Sequence, residues 1–339
     1  MKTIILNQPE QFTLTDTREP EPAPPEEALV KVHRVGICGT DLHAFRGRQP
    51  FFEYPRILGH ELGVEIIEVP DNDLGLKPGD YCAVEPYLNC GTCIACRQGK
   101  TNCCTTLKVL GVHIDGGMRE YITVPLNKLH KSVKLTLDQL ALVETIGIGA
   151  HAVARAQIQP GENVLVIGAG PIGLSTMEMA KAEGANIIVL DVSAPRLEFC
   201  RNQLHIEHCI PVNETAVQQI EEITSGEFPT AVFDCTGNEH SMNNAIQYLA
   251  HGGRLIFVGL FTGSFSIHDP SFHKRETTLL SSRNSTAADM KRVMRYLEDG
   301  KIDSTPWITH RVHCDHLIEQ FPRWYDPNQQ VIKAMVEWI

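Results

Sequence analysis

The stretch Asn163-Val-Leu-Val-Ile-Gly-Ala-Gly-Pro-Ile-Gly173 decides the fold, and the helix-like run 174–183 follows it directly. An apolar strand run, a glycine turn and a helix in immediate succession open a βαβ unit. A second apolar run, 186–190, ends at Asp191, and helix-like and strand-like segments then alternate to about residue 259. This alternation predicts a doubly wound parallel sheet, the Rossmann type of α/β fold.

The glycines of this turn fit a phosphate-binding loop. Gly168 permits the tight turn, Gly170 lets the backbone approach a pyrophosphate, and Gly173 allows close helix–sheet packing. A carboxylate after the second strand accepts hydrogen bonds from ribose and repels a 2′-phosphate, so NAD is favoured over NADP, although a nearby arginine weakens that preference. The alternative is a glycine-rich loop in a purely structural domain. The predicted cofactor site comprises Gly168, Gly170, Pro171, Ile172, Gly173, Asp191 and Arg196.

The flanking segments have a different pattern. Residues 1 to about 145 contain short alternating apolar runs, such as Ala28–Val35, bounded by glycine and proline turns. Because long helices and βαβ alternation are scarce there, a compact β-rich domain is predicted. The last stretch, from about 286, begins with a helix at 287–297 and ends in a strand-like run at 331–336.

Composition excludes several functions. The 339 residues carry 30 Lys and Arg against 41 Asp and Glu, a net charge of −11, which argues against a nucleic-acid partner. No apolar run reaches the roughly 20 residues that a membrane span requires. The N-terminus lacks the features of a signal peptide, so we expect a cytoplasmic protein.

Five of the 11 cysteines fall within the 15 residues 90–104. A reducing cytosol makes a disulfide framework improbable there, and such clustering indicates metal binding. Four thiolates make a closed tetrahedral site, which is typical of structural zinc. Cys103 competes with its neighbour as the fourth ligand, and an iron–sulfur cluster is the alternative. The predicted ligands are Cys90, Cys93, Cys96 and Cys104.

A second set of metal-ligand types lies in other segments. Cys38 and His60 offer a thiolate and an imidazole, and Glu61 and Glu144 can add oxygen ligands. A mixed set of sulfur, nitrogen and oxygen donors can leave a position open for water or substrate, as catalytic zinc requires. Each residue alone also has a structural explanation, such as a buried cysteine or a core histidine.

Together these motifs resemble the zinc-dependent medium-chain dehydrogenases, which include alcohol, polyol and sugar-acid dehydrogenases. The resemblance covers nearly the whole chain. It rests on Gly36-Ile-Cys-Gly-Thr-Asp-Leu-His43, Gly59-His-Glu61, Lys77-Pro-Gly-Asp80, the cysteine cluster, Gly168–Gly173, Asp234-Cys-Thr-Gly237, Gly252–Gly259 and Lys333.

The resemblance implies the domain organisation. A GroES-like β-rich catalytic domain would comprise residues 1–146 and 286–339, with a structural zinc lobe at about 86–108. A Rossmann NAD-binding domain would comprise residues 147–285. The family also implies one catalytic and one structural zinc per subunit and a homodimer or homotetramer.

The resemblance further assigns roles to individual residues. Cys38 and His60 match catalytic zinc ligands, with Glu61 adjacent and Glu144 at the remaining ligand position, as in the sorbitol dehydrogenase branch. Thr40 and His43 match a proton relay. Asp41 matches the carboxylate that orients a zinc-binding histidine.

The implied reaction is hydride transfer from a secondary alcohol of a polyol, sugar or sugar acid, such as a hexonate, to NAD⁺, giving a ketone. Arg283 or Arg48 is hypothesised to pair with a substrate carboxylate, since guanidinium geometry favours that contact. The alternatives are an L-threonine 3-dehydrogenase, a general alcohol dehydrogenase and, from another class, a non-enzymatic NAD- and zinc-binding redox sensor.

Overall fold

The structure is a computed structural model that describes residues 1–21, 24–50 and 52–338. The chain divides into two compact units, the first formed by residues 1–145 with 286–339 and the second by residues 146–285. Within the described ranges, no helix is both long and apolar enough to cross a membrane.

The elements of the first unit, short 3₁₀ turns aside, are β1 (Lys2–Gln8), β2 (Gln11–Asp16), β3 (Glu27–Ile37), α1 (Gly39–Phe45), β4 (Glu61–Glu68), β5 (Tyr81–Val84), β6 (Tyr87–Leu88), α2 (Ile94–Arg97), β7 (Lys108–Val109), β8 (Tyr121–Pro125) and β9 (Leu129–Lys131). The long helix α3 (Leu137–Ala156) contains the division between the units. The second unit comprises β10 (Asn163–Ile167), α4 (Pro171–Ala182), β11 (Asn186–Asp191), α5 (Ala194–Gln203), β12 (His208–Pro211), α6 (Ala216–Ile223), β13 (Ala231–Asp234), α7 (Glu239–Asn244), β14 (Arg254–Phe257), α8 (Asp269–Arg275) and β15 (Thr278–Ser281). The chain then returns to the first unit through α9 (Ala287–Glu298), β16 (Ile308–His313), α10 (Leu317–Gln320) and β17 (Lys333–Glu337).

The second unit is a parallel six-stranded sheet in the order β12-β11-β10-β13-β14-β15. This is the strand order of a doubly wound dinucleotide-binding fold, so the predicted fold class is confirmed. Helix α4 begins at Pro171, three residues before the predicted start, because Gly170 occupies the N-cap and proline suits the first helical position.

Two glycines of the loop are required by the backbone itself. Gly168 has a φ of +96°, a conformation that side chains rarely tolerate. A Cβ atom on Gly173 would lie 1.7 Å from the carbonyl oxygen of Gly168. The close approach of α4 to β10 therefore depends on glycine at position 173.

The first unit is built on a mixed seven-stranded sheet whose centre is β3. This strand pairs with β17, β4 and β8, all antiparallel, and its alternate side chains enter an apolar core with those of the neighbouring strands. The register places Gly36 of β3 opposite Glu61 of β4. Strands from both ends of the chain thus converge on the segment that contains the second metal-ligand set.

Candidate catalytic and zinc sites

The cysteine cluster forms one compact group. The sulfur atoms of four cysteines all lie within 4.8 Å of one another, and Cys103 is exposed and outside this group. The Thr92 hydroxyl and the backbone amide of Cys93 donate to the Cys90 sulfur, and these hydrogen bonds lower the pKa of Cys90 to about 5. A thiol that ionises so readily suits metal binding. The grouped residues are Cys90, Cys93, Cys96 and Cys104.

A second group brings together Cys38, His60 and Glu61. Cys38 directly precedes α1, His60 directly precedes β4, and Glu61 is the first residue of β4. Their ligand atoms lie within 4.8 Å of one another. His60 is 5% exposed and Glu61 is fully buried. The sheet register produces this proximity, because the end of β3 and the start of β4 are paired neighbours.

Asp41 lies behind the imidazole of His60. Its Oδ2 accepts a hydrogen bond from the Cys38 amide at 2.9 Å, and its Oδ1 lies 3.7 Å from His60 Nδ1. Asp41 Oδ1 and His60 Nδ1 are both buried without a hydrogen-bond partner. Burial opposes charge on His60, but the Asp41 carboxylate and Cys38 outweigh it, so the pKa of His60 is well above its usual value.

This donor set fits zinc. A half-buried thiol, an imidazole and a carboxylate are soft, borderline and hard donors, respectively, and zinc accepts all three kinds. The carboxylate behind the imidazole is the arrangement that fixes which ring nitrogen faces a metal. His60 Nδ1 and Asp41 Oδ1 are 3.7 Å apart, and a slightly shorter distance would let them form a hydrogen bond with each other.

The two glutamates of the predicted set have different partners. Both oxygens of Glu61 accept from Lys333 Nζ, at 2.6 and 2.8 Å, and the lysine also donates to the Ile37 carbonyl and the Thr145 hydroxyl. Glu144, on α3, accepts a hydrogen bond from the Tyr87 hydroxyl and lies outside the Cys38 group. Burial raises the pKa of Glu144.

Sequence reasoning missed Tyr87 and the pairing of Lys333. A lysine in the centre of the apolar run 331–336 is itself a signal, because a buried ammonium requires a counter-charge. Tyr87 gave no comparable signal, since a single tyrosine before the cysteine cluster has many possible partners.

The remaining residues of the first unit's predicted site lie on or beside α1. Thr40, in its first turn, is half-buried, and His43 is exposed one turn later. Residues three apart lie on the same side of a helix. Arg48 is exposed beyond the end of α1, and its backbone amide donates to the His43 carbonyl at 2.8 Å.

In the second unit, Asp191 closes the glycine loop. Its Oδ2 accepts from the Ala169 amide at 2.5 Å and its Oδ1 from the Ser193 amide at 2.7 Å. The Arg196 guanidinium lies beside Gly170, 3.6 Å from where a Cβ atom would be. The loop, the carboxylate and the arginine are therefore neighbours, whereas Arg283 is exposed in the segment after β15.

Replacing Gly36 by alanine is expected to destabilise the Cys38 group. The added Cβ atom would lie 2.1 Å from Glu61 Oε2, and the Lys333 pairing prevents that carboxylate from moving away. We expect the free energy of unfolding to fall by about 1–3 kcal/mol, as measured by urea denaturation. The control is Gly39→Ala, which has no neighbouring atom within 4 Å. Equal losses in the two variants would contradict the steric argument.

Comparison with known proteins identifies the family. Residues 24–134 match the alcohol dehydrogenase GroES-like domain, and residues 171–299 match the zinc-binding dehydrogenase domain. The chain is 43% identical over 336 residues to L-galactonate-5-dehydrogenase of Escherichia coli strain K12, covering 99% of this chain and 98% of that protein. It is 33% identical to L-threonine 3-dehydrogenase of Pyrococcus furiosus, covering 92% and 91%.

A solved structure agrees over the full length. It is described as a short chain alcohol dehydrogenase of Escherichia coli CFT073 complexed with the cofactor NADH, and it matches with a TM-score of 0.91 and 30% identity, covering 100% of this chain and 99% of that one. The resemblance inferred from the motifs is confirmed by these matches. This chain belongs to the zinc-binding medium-chain dehydrogenases, with a GroES-like domain and a Rossmann domain.

Proposed function

We propose that this protein is a zinc-dependent, NAD-linked dehydrogenase that oxidises a secondary hydroxyl of a polyol, sugar or sugar acid, such as a hexonate, to a ketone. The observation that carries the proposal is the group of Cys38, His60 and Glu61, with Asp41 behind the imidazole. The relative named L-galactonate-5-dehydrogenase supports a sugar-acid substrate.

The first unit would hold the catalytic metal through Cys38 and His60, with Glu144 or Glu61 as the carboxylate ligand. Zinc in such a site supplies a Lewis acid that lowers the pKa of a substrate hydroxyl. Asp41 keeps the ring of His60 in one orientation. The lobe at 90–104 would hold a second, structural zinc, because its four thiols leave no open ligand position.

Two residues of α1 would move the hydroxyl proton. Thr40 is half-buried in the first turn, and His43 is exposed on the same side of the helix. We assign Thr40 as the group that accepts the proton and His43 as the group that passes it to solvent. Bound NAD⁺ would supply the hydride acceptor.

Arg283 or Arg48 is proposed as the partner of a substrate carboxylate. Both are exposed, and Arg48 follows α1 directly, five residues after His43. A guanidinium group binds a carboxylate through two parallel hydrogen bonds. A substrate that lacks the carboxylate should therefore have a higher KM than its hexonate counterpart.

The test is NADH formation by the zinc-loaded protein over a panel of hexonates, the matching polyols, simple alcohols and L-threonine, each with NAD and NADP. Turnover of a hexonate or polyol supports the proposal. Turnover of L-threonine alone would favour the second candidate, which the 33% identity to L-threonine 3-dehydrogenase supports. No turnover with any substrate would contradict both.

Replacing Asp191 by serine is expected to shift the cofactor preference towards NADP. The change removes the charge that repels a 2′-phosphate and frees the Ala169 and Ser193 amides near Arg196. We expect the ratio of kcat/KM for NAD to that for NADP to fall roughly tenfold, equivalent to about 1.4 kcal/mol. Adding Arg196→Ala should remove the gain with NADP. An unchanged ratio in Asp191→Ser would contradict the assigned role.

We also propose a cytoplasmic homodimer or homotetramer. Exposed apolar side chains of the second unit lie close together in sequence between β14 and α8, at Leu260, Phe265 and Ile267. Strand β15 is the edge of the six-stranded sheet in that unit. An apolar segment and an open sheet edge favour association of copies. Sedimentation equilibrium would measure the mass, and a monomer at micromolar concentration would contradict this proposal.

A further inference from the structure

A buried ionic cluster lies apart from both cysteine-containing groups. Lys128 Nζ lies 2.5 Å from Glu85 Oε1, and His130 Nε2 lies 3.3 Å from Glu85 Oε2. The three side chains are 7%, 1% and 5% exposed, in the order Lys128, Glu85 and His130. Buried ion pairs rarely add net stability, because desolvation offsets their attraction. We therefore explain the cluster by the chain segments that it holds in place and not by a gain in stability.

The ammonium of Lys128 has a second partner on the same segment. It donates to Asn89 Oδ1 at 2.9 Å, so it joins residues two positions before and two positions after Tyr87. Asn89 in turn donates to the sulfur of Cys96, at 3.7 Å, in the cysteine lobe formed by residues 90–104. Lys128 thus holds the segment 85–89 at both ends, and Asn89 connects that segment with the lobe.

Tyr87 connects the same segment with the Cys38 group. It is 3% exposed, and its hydroxyl donates to the carboxylate of Glu144. Tyr87 lies in β6 and pairs with Val109 of β7, and these two strands flank the lobe in the sequence, one before it and one after it. A displacement of the lobe would move Tyr87 and change the direction in which Glu144 points.

We propose that Lys128 is a positioning residue: it fixes Tyr87 and, through it, Glu144, with the cysteine lobe as the far anchor. The inference rests on the proposed function only in taking Glu144 to be a carboxylate of the catalytic metal site. The Tyr87 hydroxyl holds one carboxylate oxygen of Glu144, so the other oxygen can bind a metal ion from a fixed direction. Loss of Lys128 frees the segment 85–89 and lets the carboxylate turn.

The test compares the full chain with Lys128→Met, Lys128→Arg and Tyr87→Phe, with zinc kept in the lobe and Co²⁺ exchanged into the Cys38 group. The visible spectrum of Co²⁺ reports its ligands independently of turnover. The matched control is Lys131→Met, which replaces another lysine of the same segment and removes the ion pair between Lys131, on β9, and Asp80. Lys128→Met leaves the buried Glu85 carboxylate without its ammonium partner, so we expect it to lower stability as well. Asn89→Leu is therefore added, because it breaks the link to the lobe without leaving Glu85 unpaired.

We expect Lys128→Met and Asn89→Leu to shift the Co²⁺ bands in the same direction as Tyr87→Phe. We expect kcat to fall by roughly 10–100-fold, as for other residues that orient metal ligands, with little change in KM. Lys128→Arg should keep the Co²⁺ bands and kcat close to those of the unmodified protein, and Lys131→Met should leave both unchanged.

Unchanged bands in Asn89→Leu and Lys128→Met, with only a lower unfolding midpoint, would overturn the proposal and leave the cluster with a structural role. A normal Co²⁺ spectrum without turnover of any panel substrate would overturn the proposed function alone. Absence of Co²⁺ bands from the Cys38 group in the unmodified protein would overturn both.

Discussion

Replacing Cys38 by serine is expected to remove the catalytic zinc and to lower kcat/KM by about a thousandfold, or ~4 kcal/mol of transition-state stabilisation. Cys38 contributes the sulfur donor of the group that it forms with His60 and Glu61, and a serine hydroxyl does not ionise to replace it. Zinc content, measured by mass spectrometry, should fall by one ion per chain. NAD binding should be retained, because the glycine loop lies in the other unit.

The matched control for this prediction is Cys103→Ser. Cys103 is exposed and outside the cysteine group, so its replacement should leave both the zinc content and the turnover unchanged. Loss of zinc in this control would mean that Cys103, and not Cys104, completes the lobe. Full activity in Cys38→Ser would contradict the assignment of the catalytic site.

Local patterns account for the parts of the fold that the sequence predicts best. The strand, glycine turn and helix at 163–182 are contiguous, so spacing alone indicates a βαβ unit. The same holds for the final strand, predicted at 331–336 and observed as Lys333–Glu337. The pairing of that strand with β3 could not be predicted from spacing, because 296 positions separate Ile37 from Lys333.

The candidate site shows the same division. The cysteine lobe follows from local spacing. Residue type indicates that Cys38, His60 and Glu61 are metal ligands, but their proximity follows from the register of β3 and β4. The contacts between distant segments carry no sequence pattern. The Tyr87–Glu144 hydrogen bond joins residues 57 positions apart and depends on where α3 packs on the sheet.

The two acidic ligand candidates illustrate what geometry adds. From sequence, Glu61 and Glu144 are equivalent oxygen donors. The structure gives Glu61 a lysine that contacts both its oxygens and gives Glu144 a phenol that contacts one. A carboxylate that is paired with an ammonium attracts a metal cation less strongly than a carboxylate that accepts a hydrogen bond from a neutral hydroxyl. The environment therefore favours Glu144 as the direct ligand.

Replacing Lys333 by methionine is expected to lower the free energy of unfolding by about 3–5 kcal/mol. The change leaves the fully buried Glu61 carboxylate without its ammonium partner and also removes the donor to the Ile37 carbonyl and the Thr145 hydroxyl. Methionine preserves the length of the side chain, so the loss reports the charge and not a cavity. Denaturant unfolding of the zinc-loaded protein measures the effect.

Two further variants separate burial from ion pairing as such. Lys2→Met removes the exposed ion pair with Asp315 and should leave the unfolding midpoint unchanged, since solvent screens that contact. The double variant Lys333→Met with Glu61→Gln should recover part of the loss, because the unpaired buried charge is then absent. If the double variant were less stable than Lys333→Met alone, the charge argument would be wrong. Recovery of stability in the double variant would show that Lys333 stabilises the fold by neutralising the charge of Glu61. Lys333 would then allow a charged carboxylate to lie beside Cys38 and His60 in addition to Glu144.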